Sequence, residues 1–91
     1  MPVTKCRPAK ILVIDDELIN LMFFNQTLKK LQYECDLASD GEAGLENITK
    51  RIELLKNGSE INYSLVLIDY NMPGMLGTEV AAKICKLYAE A

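Results

Sequence analysis

The sequence contains no histidine. Without an imidazole, the chain cannot supply a serine–histidine catalytic triad, a histidine metal ligand or a phosphohistidine of its own. Its three cysteines (Cys6, Cys35 and Cys85) are widely spaced and odd in number, which argues against a disulfide framework or a zinc site. We therefore expect a protein of the reducing cytoplasm.

Long apolar runs and an excess of positive charge are also missing. No run approaches the roughly 18 apolar residues of a membrane span, and the first ten residues lack the apolar stretch of a signal peptide. The net charge of −3 would repel polyanions, so neither a membrane nor a nucleic acid is an expected partner. With 49% hydrophobic residues in 91, we expect one domain over residues 1–91.

Apolar segments of two kinds alternate along the chain. Continuous apolar runs at 11–14 and 65–68 predict strands that are buried on both faces, and 34–38 is a weaker strand. Helical spacing of apolar residues follows each strand, and Ser39 and Thr78 are the expected caps of the second and third helices. Residues 1–10 are an expected irregular lead-in. The β-α-β-α-β-α pattern predicts a parallel sheet.

Carboxylates stand where the two continuous apolar strands end. Asp15 and Asp16 follow the first strand and Asp69 follows the third, so neighbouring parallel strands would bring them to one edge of the sheet. Carboxylates that close raise one another's pKa, and Mg²⁺, which prefers oxygen ligands, relieves that conflict. Such sites favour phosphoryl transfer, in which a carboxylate can itself be the nucleophile.

A single Asp after a strand is more often only a terminator or a helix cap. The doublet Asp15-Asp16, the separate Asp69 and the Asn-Met-Pro-Gly sequence that follows it together favour a functional site. Three segments carry a specific resemblance: Ile11–Glu17, Ser39–Leu45 and Leu67–Gly77. In combination they resemble the receiver domain of two-component response regulators, over nearly the whole chain from Lys10 onward.

The resemblance implies a role for each matching residue. Asp69 would be the phosphoacceptor and also a metal ligand, Asp16 a direct Mg²⁺ ligand, Asp15 a ligand through water, and Asn71 a ligand through its backbone carbonyl. Pro73 and Gly77 would shape the loop after the phosphorylated strand. The module would accept a phosphoryl group from a histidine kinase or a histidine phosphotransfer protein, and it would be a signalling module, not an enzyme with an external substrate.

The implied fold is flavodoxin-like, with three strands in the order 2-1-3 and flanking helices. It corresponds to the (βα)3 portion of a (βα)5 domain, so we expect a receiver domain that is incomplete at its C-terminus. The family's Ser or Thr and its Lys belong to the two further βα units, and Leu76 replaces a usual Asp. In this order the strand at 65–68 is a sheet edge, through which self-association is expected.

Two other functions compete with this interpretation. A non-signalling interaction module, or a fragment of a receiver without a working switch, would have the same front half of the fold. A phosphatase of the haloacid-dehalogenase type would also use an Asp nucleophile after its first strand. That family requires Asp-x-Asp, whereas this chain has the adjacent residues Asp15-Asp16-Glu17.

Overall fold

The computed structural model describes residues 10–59 and 61–91. The expected lead-in lies outside these residues except for Lys10, which begins the first strand. The predicted alternation of strands and helices is confirmed. The elements are β1 (Lys10–Ile14), α1 (Leu18–Lys30), β2 (Glu34–Ala38), α2 (Gly41–Lys56), β3 (Tyr63–Ile68) and α3 (Gly77–Glu90).

The three strands form one parallel sheet in the order β2-β1-β3. This is the predicted order, with the first strand in the centre. The last residue of β1, Ile14, lies opposite Ala38 of β2 and Ile68 of β3. All three strands therefore end at the same level, and the residues that follow them meet at one edge.

The core has two parts because helices cover both faces of β1. Leu12 and Ile14 are fully buried in the larger cluster, to which α2 contributes Ile48 and α3 contributes Val80. Ile11 and Val13 point to the other face, where α1 covers them with Leu21. The period-2 alternation of a strand thus gives β1 apolar contacts on both sides, which confirms the prediction for this strand.

The same prediction is wrong for β3. Its residues are half-buried or exposed, and Leu65 is 50% exposed. Within residues 10–59 and 61–91, the strand pairs with β1 alone, and α1 is the only helix on the face that includes Leu67. A continuous apolar run therefore identified the strand, but what covers a strand depends on its neighbours in space.

Two helix starts differ from those expected. α2 is capped by Asp40, not Ser39, because the Asp40 carboxylate accepts the Ala43 N–H at 2.7 Å. α3 begins at Gly77 after the N-cap residue Leu76, one residue before the expected cap Thr78. The Glu79 carboxylate accepts the Leu76 N–H at 3.4 Å, so an acid in the first turn binds the backbone of the N-cap residue, and Thr78 lies inside the helix.

A polar cluster closes the amino end of the sheet. The Tyr63 hydroxyl donates a hydrogen bond to the Asp36 carboxylate, which also lies 3.5 Å from the Lys10 ammonium and 3.9 Å from the Arg51 guanidinium. Burial, followed by the bond to Asp36, raises the pKa of Tyr63 well above its ordinary value. These contacts join both outer strands, β1 and α2 at the end of the sheet opposite the strand-end carboxylates.

Of the helices in the described residues, none is long and apolar enough to cross a membrane. Cys35 and Cys85 are free thiols, and Cys6 lies outside the described residues.

Candidate functional site

Backbone hydrogen bonds bring the three strand-end carboxylates together. The Asp15 N–H donates to the Ala38 carbonyl at 3.0 Å, and the Asp69 N–H donates to the Ile14 carbonyl at 2.9 Å. The parallel ladder thus continues one residue beyond the strands on both sides of β1. As a result, Asp15, Asp16 and Asp69 each offer a carboxylate oxygen, and these oxygens lie within 4.8 Å of one another.

The three carboxylates have different surroundings. Asp15 is buried, with 7% of its surface exposed, and both of its oxygens are occupied: Oδ1 accepts the Glu17 N–H at 3.0 Å, and Oδ2 accepts the Asn20 side-chain amide at 3.2 Å. Asp16 is exposed and Asp69 is half-buried. Asp15 is therefore fixed in orientation, whereas Asp16 faces solvent.

Repulsion among the carboxylates contributes to a shift at Asp16. The pKa of its carboxyl is raised above the ordinary value, first because neighbouring chain atoms displace part of its hydration. Its contact with the Asp69 carboxyl and the negative charges of Asp69 and Asp15 raise it further. Among the described residues, no lysine or arginine forms an ion pair with Asp16.

The loop after Asp69 is held by close backbone packing. The Gly77 N–H donates to the Tyr70 carbonyl at 2.9 Å, and a Cβ on Gly77 would lie 2.4 Å from the Asp69 carbonyl oxygen. Any side chain there would push α3 away from the residue that ends β3. In between, Pro73 and Gly74 form a turn in which Gly74 has a φ of 84°, a conformation that favours glycine.

Other residues of this loop have separate roles. Met72 is buried in the larger core cluster and anchors the loop to the sheet. Asn71 is exposed, and its expected contribution of a backbone carbonyl to a metal ion stays a prediction.

The donor set suits a hard divalent cation. All three side chains offer carboxylate oxygens, the ligand type that Mg²⁺ and Ca²⁺ prefer, whereas softer metals favour nitrogen and sulfur. Mg²⁺ commonly uses one or two carboxylates and keeps several waters, which fits one buried, one half-buried and one exposed carboxylate. A bound cation would also offset the repulsion between these groups.

Reasoning from the sequence missed Asn20. This residue lies in the first turns of α1, where its side-chain amide reaches back to Asp15. The available signal was a polar residue placed five positions after Asp15, in a helix start that is otherwise mostly apolar.

Comparison with known proteins places the chain among signalling modules. The family model of the response regulator receiver domain matches residues 11–91. Hybrid signal transduction histidine kinase F of Dictyostelium discoideum is 35% identical over 86 residues, which make up 94% of this chain and 7% of that protein. The chain thus spans a small part of this curated relative.

Two solved structures share the fold. The response regulator receiver domain protein from Clostridium thermocellum has a TM-score of 0.76 and 30% identity, covering 89% of this chain and 58% of that one. The structure of histidine kinase ThkA in complex with response regulator protein TrrA has a TM-score of 0.64 and 37% identity, covering 91% of this chain and 63% of that one. These likenesses agree with the flavodoxin-like architecture expected from the sequence.

Proposed function

The chain belongs to the response regulator receiver domain family, and we propose that it accepts a phosphoryl group from a phosphohistidine onto Asp69, with Mg²⁺ held by the neighbouring carboxylates. The observation that carries this proposal is the convergence of three carboxylates from two neighbouring strands. Terminating strands or capping helices does not require such an arrangement. The module would act in the cytoplasm as a signalling switch, without turning over an external substrate.

Asp69 is the best placed of the three carboxylates to be the acceptor. Both oxygens of Asp15 already accept N–H donors, which lowers their nucleophilicity, and Asp16 is the most exposed of the three. In the described part of the chain no N–H or O–H group donates to the Asp69 carboxylate, which is half-buried and held at the end of β3. Its oxygens are therefore free to react from a fixed position.

The reaction forms one bond and breaks one. An Asp69 oxygen attacks phosphorus and forms an acyl phosphate, while the phosphorus–nitrogen bond of the phosphohistidine breaks. The bonding electron pair stays on the imidazole nitrogen of the donor, which takes up a proton. Mg²⁺, when bound, would offset negative charge on the phosphoryl oxygens, and Asp15 and Asp16 are the side chains that would hold it together with Asp69.

The Asp69→Asn variant tests the acceptor. We expect beryllofluoride, a mimic of the phosphoryl group, and acetyl phosphate to modify the wild-type chain and to leave this variant unmodified, because the nucleophilic oxygen is lost. Native mass spectrometry measures the beryllofluoride complex, and peptide mapping after acetyl phosphate treatment locates the acyl phosphate. Glu46→Gln, on the exposed surface of α2, is the control and should behave like wild type. Modification that maps to Asp15 or Asp16 would contradict the assignment.

The metal ligands are tested by Mg²⁺ titration calorimetry. We expect Asp15→Asn to weaken binding about tenfold, as for a residue that acts through an intermediate group. Asp16→Asn should weaken it more, because Asp16 is exposed and is the residue proposed to touch the ion directly. Equal losses in the two variants would show that both carboxylates contact the ion in the same way.

The donor protein is proposed to dock on the exposed apolar surface of α1. Four large apolar residues of this helix are exposed and share one side of it: Leu18, Ile19, Met22 and Phe23. Apolar side chains grouped in this way mark interaction surfaces, and the helix starts two residues after Asp16. The similarity to a structure of a histidine kinase in complex with a response regulator supports a kinase as the occupant.

Replacing Ile19, which is 78% exposed, separates docking from chemistry. With a phosphorylated histidine kinase that transfers to the wild-type chain, Ile19→Gln should slow transfer about tenfold, since buried apolar contacts at such surfaces are worth about 1–2 kcal/mol. Modification by acetyl phosphate should stay unchanged. Leu54→Gln, at an exposed apolar position on α2, is the matched control. If Ile19→Gln slowed phosphorylation by the kinase and by acetyl phosphate equally, the defect would lie in the phosphorylation site and not in docking.

Self-association through the edge of β3 is proposed as a separate property. The pattern of strand pairing turns the N–H and C=O groups of Leu65, Leu67 and Asp69 toward β1 and those of Ser64, Val66 and Ile68 outward. In an antiparallel dimer, Val66 would pair with its own copy and Ser64 with Ile68. The strand contains no charge or proline that would oppose this pairing.

Leu65→Lys tests the pairing, since a lysine on an edge strand opposes strand addition. We expect light scattering over a dilution series to show dimers for wild type and monomers for this variant. Leu54→Lys adds the same charge at a similarly exposed position on α2 and should leave the dimer intact. A wild-type chain that is monomeric at all concentrations would contradict the proposal.

A further inference from the structure

We infer that Asn20 is a positioning residue of the metal site, which acts by holding the Asp15 carboxylate in the orientation that faces the cation. This inference rests on the proposed function, because it assigns a role within the Mg²⁺ site. It starts from the 3.2 Å hydrogen bond between the Asn20 side-chain amide and Asp15 Oδ2.

The geometry makes Asn20 the only side chain that restrains Asp15 among the described residues. The other restraint is a backbone group, the Glu17 N–H, at 3.0 Å from Oδ1. One donor on each oxygen fixes the rotation of the carboxylate plane. Without the Asn20 amide, Asp15 would keep a single anchor and could rotate about its side-chain bonds.

The negative charges around Asp15 explain why its carboxylate needs a hydrogen-bond donor. Asp15 is buried beside two other carboxylates, and no lysine or arginine of the described chain lies within ion-pair distance of it. Neutral N–H dipoles partly offset the charge of a buried carboxylate without cancelling it. A lysine at position 20 would offset the charge more strongly, but it would also compete with the cation for the site.

The choice of an amide also leaves Asp15 able to interact with a cation. Each carboxylate oxygen has two lone-pair directions, and one on each oxygen is used by Asn20 or Glu17. The remaining directions can accept a hydrogen bond from a metal-bound water. This agrees with a buried Asp15 that acts through water and an exposed Asp16 that touches the ion directly.

The test uses Mn²⁺ as the probe, with electron paramagnetic resonance to count free and bound ion. Asn20→Ala should weaken Mn²⁺ binding about three- to tenfold, the range expected for one hydrogen bond to a ligand carboxylate. Asn20→Leu, which keeps the branched shape and removes the amide, should weaken it equally. Asn25→Ala, farther along the same helix, is the matched control and should bind like wild type.

A double-mutant cycle separates positioning from a general structural effect. If Asn20 acts through Asp15, Asn20→Ala should have no further effect on Mn²⁺ binding in an Asp15→Ala background. In beryllofluoride modification of the single variant, the Mg²⁺ concentration for half-saturation should rise in proportion to the loss of affinity. The extent at saturating Mg²⁺ should stay that of wild type.

The Mn²⁺ measurements can contradict either the role of Asn20 or the metal site itself. Unchanged Mn²⁺ binding in both Asn20 variants would overturn the inference, as would an equal loss in the Asp15→Ala background. A wild-type chain that binds no Mn²⁺ would instead overturn the proposed function, so the two failures are distinguishable.

Discussion

Like charges held together by the backbone are the constraint on which the site depends. Two hydrogen bonds, from Asp15 to Ala38 and from Asp69 to Ile14, place carboxylates from neighbouring strands within 4.8 Å. Without this backbone restraint, repulsion between the carboxylates would move them apart. The parallel pairing of β1 with both neighbours prevents this, and the burial of β1 on both faces makes that pairing hard to break. The core of the domain therefore stabilises an arrangement that is unfavourable on its own.

Close packing of helices against the strand ends completes the restraint. A Cβ on Gly77 would meet the Asp69 carbonyl oxygen, and one on Gly44 would lie 2.4 Å from the Cδ1 atom of Ile14. The glycines thus let α3 and α2 approach the residues from which the site projects. Because Ile14 is fully buried, displacing it would disturb β1 directly below Asp15. The geometry of the site is in this way a consequence of helix packing as well as of strand pairing.

The sequence predicted much of this and failed where tertiary context decides. Strand order and the meeting of Asp15, Asp16 and Asp69 followed from apolar runs, parallel topology and the family resemblance. The exposure of β3 did not, because an apolar run does not specify how many elements cover it. The role of Asn20 also escaped, since a side-chain hydrogen bond across five residues has no periodic signal. The sequence also did not distinguish Asp40 from Ser39 as the cap of α2, because adjacent Ser and Asp residues are both favoured at the N-cap position.

The distribution of positive charge explains how the site keeps its negative field. In the described residues, the cations that form ion pairs are Lys10 and Arg51, and both pair with Asp36 at the amino end of the sheet. At the carboxyl end, the hydrogen-bond donors to the Asp15 carboxylate among the described residues are the Glu17 N–H and the Asn20 amide, so its charge is partly offset and not cancelled. The pKa of Asp16, the exposed carboxyl, is raised first by partial loss of hydration and then by its neighbours Asp69 and Asp15, and water and salt can screen its charge. A protein cation at this edge would stabilise the empty fold, but it would also remove the field that attracts Mg²⁺. Separating charge between the two ends of the sheet therefore keeps the site available to an external cation.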